Sequence, residues 1–261
     1  MDRSNIEKIA HNTEDRMLLA KVWDKITPGF RRNIFACSCF LSPRELEMTR
    51  LLFGEPEGLL RFGGYADAER QMLCYLPDYL TEEVLWDEDS PICCLRASFF
   101  NGDTLTHRDF LGALMGAGIA RETIGDICVD KGSCDFFVSK EIAAYLLTDF
   151  QSAGRTKLRL TRIPLTEAHI PTPEIREIRD TLASVRLDAV ISSGFRISRG
   201  QAAGMINAAK VSVNGLPCTK SDKAVDQADT VSVRGLGKIK LAQVNGQTKK
   251  GRISVVIHRY V

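Results

Sequence analysis

The sequence predicts an α+β protein of three domains. Three observations carry that reading: a helical opening, a central alternation of strands and helices, and a basic tail on an otherwise acidic chain. Of the 261 residues, 181–261 hold 13 Lys and Arg against 4 Asp and Glu, whereas 1–180 hold 22 against 29. The formal net charge of +2 hides this asymmetry, and a one-ended positive field usually meets phosphate. Hydrophobic content of 44% with 26% charged residues is ordinary for globular domains. No apolar run approaches the roughly 20 residues of a membrane-spanning helix, and the N-terminus lacks the apolar core of a secretion signal. A cytoplasmic monomer without membrane contact is expected. The eight cysteines, at 37, 39, 74, 93, 94, 128, 134 and 218, form no C-x-x-C pair, so they are expected to be reduced structural thiols, with no metal and no cofactor.

The N-terminal α+β domain is placed at 1–76. Ile6, Ile9, Met17, Leu18, Val22 and Ile26 have helical spacing, and Pro28-Gly29 is expected to stop the helix. Ser42-Pro43-Arg44-Glu45 sets an N-cap serine, a proline at the first helical position and a glutamate three residues on, starting a helix that runs to Gly54. Leu59–Phe62, Gly63-Gly64 and Arg70–Leu76 read as strand, turn, strand. Residues 77–91 hold six acids and no base, and read as a linker or a solvated acidic helix in preference to a cation site.

The central domain, 77–165, alternates clearly. Ile92–Phe99 is a strand, Thr106-x-x-Asp109 caps a helix through Leu114 and Met115, and Ile127–Val129 and Cys134–Val138 are strands. Ser139 to Phe150 is a helix and Lys157–Ile163 a last strand. The order βαββαβ is that of a ferredoxin-like domain, a common RNA platform that also hosts unrelated activities. Pro164, Pro171 and Pro173 mark a joint, and Pro173-Glu174 is expected to begin a linker helix within 166–180 carrying Ile175 and Ile178.

The last domain spans 181–261. Leu187, Val190 and Ile191 define a helix that Gly194 is expected to end in a left-handed cap. Ser198-x-x-Gln201 is a second capping box, starting a helix with Ala202, Met205 and Ile206. Lys210–Val213 is a strand, Asn214-Gly215 supplies the two positive-φ positions of a type I′ hairpin, and Asp229–Val233 closes the small sheet. Strands at Lys238–Val244 and Arg252–His258, joined by the basic turn Asn245–Gly251, form an added hairpin.

Arg186-Leu187-Asp188, Ser198-Arg199-Gly200-Gln201-Ala202, Lys210-Val211-x-Val213-Asn214-Gly215 and Asp229-x-Val231-x-Val233 resemble, in order and spacing, the S4-type RNA-binding domain. Helix starts in such a unit offer unpaired amides and partial positive charge to phosphate, and Arg and Lys on the same edge add full charges. The candidate RNA-binding residues are Arg186, Arg196, Ser198, Arg199, Gln201, Lys210, Asn214, Lys220, Lys223, Arg234 and Lys238. Arg196, Arg199 and Lys210 are expected beside the N-terminus of the second helix and the hairpin, with Lys220 and Lys223 extending the patch. Arg186 is read as an RNA contact in preference to an ion pair, because Asp188 is two positions away and does not face it on a helix. Asn214 is read chiefly as a turn residue.

Over nearly its whole length the chain resembles the bacterial YlmH-type family. The likeness is carried also by Leu105-Thr106-His107-Arg108-Asp109-Phe110-Leu111-Gly112, Ile124-Gly125-Asp126-Ile127, and Phe62-Gly63-Gly64-Tyr65 with Ala68-Glu69-Arg70. It departs at the cysteine-rich positions and in the length of the C-terminal hairpin. The resemblance implies a non-catalytic protein that binds ribosomal RNA or tRNA on the large ribosomal subunit, acts in rescue of stalled translation, and is linked to cell division. His107, Arg108 and Arg121 are candidates for a second RNA surface, and the N-terminal domain for a protein partner.

Enzyme readings fare worse. His107-Arg108-Asp109 echoes a kinase catalytic loop but lacks the metal-binding asparagine, and Gly116-Ala117-Gly118 follows a helix where a dinucleotide fingerprint needs a strand. The alternatives kept are an RNA-modifying enzyme of the pseudouridine synthase or methyltransferase type, which would use the S4-like unit for affinity, and a cell-division scaffold.

Overall fold

A computed structural model describes residues 2–172, 174–248 and 251–260. The chain divides into two compact units, 1–171 and 172–261.

The first unit opens with α1 (Ile6–Ile9), α2 (Thr13–Arg32), β1 (Ala36–Leu41), α3 (Pro43–Phe53), β2 (Leu59–Phe62) and β3 (Gln71–Tyr75). The strands form an antiparallel sheet in the order β1-β3-β2. Pro28-Gly29 does not stop α2. Proline forfeits one hydrogen bond inside the helix, yet the helix continues to Asn33, whose left-handed backbone (φ 53°) ends it. Gly29 serves packing instead, since a Cβ there would lie 2.8 Å from the Ala36 Cβ on β1. The expected box at Ser42 is formed in full, with Glu45 returning to the Ser42 amide. Asp15, buried on α2, accepts from both terminal nitrogens of Arg44 at 2.7 and 2.6 Å and ties α2 to α3. That contact holds the Asp15 carboxyl below the usual range.

The central part contributes β4 (Ile92–Ser98), α4 (His107–Gly116), β5 (Ile124–Asp130), β6 (Ser133–Ser139), α5 (Lys140–Asp149), the short hairpin β7 (Ser152–Ala153) and β8 (Thr156–Lys157), and β9 (Arg159–Ile163). Its sheet order is β5-β6-β4-β9, all antiparallel, as the ferredoxin-like reading requires. Alternation along each strand gives the sheet two faces. Cys93, Leu95, Ala97, Cys134, Phe136 and Val138 pack with Phe110 and Leu114 of α4 and Ala143 and Leu146 of α5. Cys94 and Phe137, on the opposite face, pack with Phe40, Phe62, Met72, Cys74 and Leu165. The first two expected domains thus have sheets of their own but share a core.

Their seam is polar at one corner. Asp126 accepts from the Tyr65 hydroxyl (2.7 Å) and from the backbone amides of Glu69 (2.6 Å) and Arg70 (3.0 Å). Burial, and then the Asp126 carboxylate, pushes the Tyr65 phenol up. Glycines permit the close approach: a Cβ at Gly64 would sit 2.6 Å from the Phe137 ring, and one at Gly125 2.6 Å from that of Phe40.

The acidic stretch 77–91 is mostly irregular, with one short 3-10 turn at Glu82–Leu85 whose Leu85 is buried. Among the described residues no group of three His, Cys, Asp or Glu is placed to hold a metal, and no helix is long and apolar enough to cross a membrane.

The second unit opens with β10 (Ile175–Leu182), followed by α6 (Leu187–Phe195), α7 (Arg199–Asn207), β11 (Val211–Val213), β12 (Leu216–Pro217), β13 (Thr230–Val233), β14 (Gly237–Gln247) and β15 (Ile253–Tyr260). The expected linker helix within 166–180 is corrected by β10, which pairs with β15 from Ile175↔Tyr260 to Leu182↔Ile253; Pro173, its presumed start, lies outside the described residues. The sheet order is β10-β15-β14-β13-β11-β12. The two helices cover one face, burying Leu187, Val190, Ile191, Ala202 and Ile206 against Val211, Val213, Val231, Val233, Ile239, Leu241, Val255 and Ile257. Gly194 is helical and does not cap α6. A Cβ there would come 2.7 Å from Ile239 Cδ1, so the glycine lets the helix sit on the sheet; the left-handed cap is Arg196 (φ 56°). Asn214 and Gly215 have the expected positive φ, 49° and 78°. Lys249 and Lys250 of the added hairpin's turn lie outside the described residues.

Candidate nucleic-acid interface

Two of the candidate cations, Arg186 and Arg199, meet at a buried carboxylate whose role the sequence reading missed. Asp188, 6% exposed, begins α6. Its side chain accepts from Arg199 Nη2 at 2.5 Å and from the Ala189 amide at 2.8 Å, and faces Arg186 Nε at 3.4 Å. Arg186 does therefore meet Asp188. It sits at the N-cap with extended backbone (ψ 153°), outside the helical spacing that would have kept the two apart. The signal was present as an Arg-x-Asp at a helix start, with a second arginine opening the next helix.

The backbone of the loop after β12 closes over the same helix end. Leu187 N–H donates to the Lys223 carbonyl (2.9 Å), Asp188 N–H to that of Ser221 (3.1 Å), and Arg186 bridges Ala224. The first amides of α6 are thereby consumed, and what this end offers a ligand is side-chain charge: Arg186, Arg199, Lys220 and Lys223. Helix α7 differs. Ser198 and Gln201 complete their capping box at 3.2 and 2.9 Å, while among the described residues the Arg199 and Gly200 amides take no hydrogen bond. Gly200 is open as well, since an added Cβ would meet nothing nearer than Ser198 Oγ at 4.0 Å. A bare helix start flanked by exposed Arg196 and Arg199 suits an anion.

Lys210 is not beside that start. It follows the far end of α7, about 13 Å along the axis, and its amide closes onto the Met205 carbonyl. Neighbouring strands still link it to the loop. Cys218 N–H donates to the Val211 carbonyl, which sets Lys220 at the end of the hairpin where Lys210 begins it, and Arg234 N–H donates to the Lys210 carbonyl. Lys210, Lys220 and Arg234 are all exposed there.

Three candidates fall elsewhere. Asn214 spends its side chain on Asp229 (2.7 Å) and the Thr230 amide (2.9 Å), as a turn residue should. Lys238 pairs across β13–β14 with Ser232, on the sheet face opposite the helices, and lies over the Tyr260 ring at 5.1 Å. Arg121, proposed with His107 and Arg108, is half-buried and donates to the Ile124 carbonyl at 2.7 Å. Burial, and then the like charge of Arg70, pulls its pKa down. His107 and Arg108 remain exposed in the first turn of α4.

Residues 185–231 match the model of the S4 domain, and residues 99–167 match one described as "Putative RNA-binding domain in YlmH". A curated relative, "Ribosome-associated protein quality control protein P2" of Bacillus subtilis (strain 168), is 32% identical over 222 residues, covering 84% of this chain and 85% of the relative. The chain belongs to the YlmH family. A solved structure, "Cell division protein ylmH from Streptococcus pneumoniae", shares 21% identity and a TM-score of 0.50 over 62% of this chain and 98% of its own, and so shows the fold of that part. Within this family member the RNA-binding S4 domain is the helix pair and hairpin built around Asp188.

Proposed function

We propose that this family member grips structured RNA of the large ribosomal subunit, or tRNA held there, and acts without catalysis in rescuing stalled translation. The observation that carries the reading is the edge at Asp188, where one buried acid fixes two arginines beside a lysine-bearing loop and an uncapped pair of amides. Such an edge binds a sugar-phosphate backbone by charge and shape. Helical RNA hides its base edges in a deep groove and presents phosphate and 2′-hydroxyl instead. Base stacking has little to work with, because Phe195 is buried and Tyr260 lies beneath Lys238. The Bacillus subtilis relative's name, ribosome-associated and of protein quality control, supports a ribosomal setting for this reading.

Crosslinking in cells followed by sequencing of the attached RNA tests the reading. Reads concentrated on large-subunit ribosomal RNA or tRNA, and rising when translation is stalled, are the expected result. Reads spread evenly over messenger RNA would refute it.

A further inference from the structure

The acidic front half contains one strongly basic run. Residues 155–163, Arg-Thr-Lys-Leu-Arg-Leu-Thr-Arg-Ile, carry four cations and no acid. They form the second strand of the β7–β8 hairpin and the whole of β9. Strand β9 is an edge, paired only with β4. Arg155, Lys157, Arg159 and Arg162 are exposed, and among the described residues none of them makes an ion pair or a side-chain hydrogen bond. The run is anchored by its other residues: Leu158 and Leu160 pack on the helix side, and Ile163 on the seam side. Register places Arg162 opposite Leu95 and Arg159 opposite Ser98, so the charges project on both sides of the edge. From Lys157 to Arg162 the run covers about 17 Å at strand rise.

The sheet face that a ferredoxin-like domain often offers to RNA is closed here by Phe40, Phe62 and Met72. The run holds no aromatic side chain. A ligand at this edge is therefore met by charge along a line, which suits a polyanionic backbone and gives no means of reading bases. We propose that strand β9, with Arg155, Lys157, Arg159 and Arg162, is a second RNA-binding site that holds a phosphate backbone lengthwise along the sheet edge. It rests on the RNA-binding reading of the chain and adds, within 99–167, a contact distinct from the exposed His107 and Arg108.

The test uses the full chain and a fluorescein-labelled RNA stem-loop with single-stranded flanks, titrated at several salt concentrations. Replacing the four cations by glutamine is expected to flatten the slope of log affinity against log salt by about 3, at roughly 0.7 to 0.9 for each phosphate released. The lysine variant R159K/R162K keeps the charge and should keep the slope. Photo-crosslinking of the wild-type chain to the same RNA should label peptides within 155–163, a readout that does not depend on the variant folding. The control is K220Q/K223Q in the S4 domain. If that control weakens binding while the β9 variant, folded by circular dichroism, binds as the wild type does, the cations only guard an open edge from strand pairing and the second site is refuted. If the wild-type chain does not bind the stem-loop at any of the salt concentrations, the RNA-binding reading itself fails.

Discussion

Replacing Lys210, Lys220 and Lys223 together by glutamine should change the salt dependence of RNA binding far more than the stability of the fold. The S4 edge holds five exposed cations with no ion pair among the described residues: Arg196, Lys210, Lys220, Lys223 and Arg234. If each neutralises one phosphate of a duplex, they contribute a slope of about −4.5, and affinity falls about 500-fold between 50 and 200 mM salt. Removing the three lysines leaves a contribution of about −1.8, a loss of about 12-fold over the same range. Cations elsewhere add equally to both proteins, so the informative quantity is the difference of about 2.7 in slope. Stability should move by less than about 0.5 kcal/mol, because all three side chains are exposed and no buried contact is broken. Fluorescence anisotropy titrations at four or more salt concentrations, with urea denaturation of the same samples, measure both quantities. An unchanged slope in a folded triple variant would refute the assignment of this edge.

Asp188→Ala should behave in the opposite way. Loss of about 2 kcal/mol in urea denaturation is expected, because the Arg199 side chain and the Ala189 amide lose their acceptor and the buried Arg186 Nε loses its nearby counter-charge, while the salt slope stays close to wild type. Arg196→Gly should raise stability by roughly 1 kcal/mol by relieving the left-handed backbone at the α6 cap, and flatten the slope by about 0.9 through the loss of one cation. Alkaline pH should destabilise the first unit. Burial pushes the Cys94 and Cys134 thiols up and that of Cys128 to about 11, so these groups stay protonated in the fold after the unfolded chain has begun to ionise. Their stabilisation is complete below the ordinary thiol value of about 8.5 and is lost as pH climbs from there through about 11; thermal melts over that window check it.

Local chemistry was legible in the sequence wherever it is self-contained. The boxes at Ser42, Thr106 and Ser198 and the Asn214-Gly215 turn depend on residues three or four apart, and each is formed. The strand and helix order of the central domain was readable for the same reason. Misreadings arose where a distant partner decides the outcome. Ile175, Ile178 and Leu182 fit helical spacing, but β15 supplies eight residues of pairing that no local window contains. Strand β1, a short apolar run between two helices, passed unrecognised because β3 makes it a strand. Gly194 looked like a cap because its contact with Ile239 comes from 45 residues away in sequence, and the half-burial of Arg121 beside Arg70 could not be read from its own segment. The cation list could be written from the sequence. Its arrangement needed the loop hydrogen bonds at Leu187 and Asp188.

The shared core beneath Phe137 dictates where the chain can be cut. Trimming away the first 76 residues would strip the cover from Cys94, Phe137 and Ile163 and leave an oily sheet face in water, and a fragment of those 76 residues alone would lose the other half of the same interior. Severing between Pro171 and Thr172 leaves all three of these hydrophobic clusters whole. Dissection of where RNA is bound is thus best done with two pieces, not three.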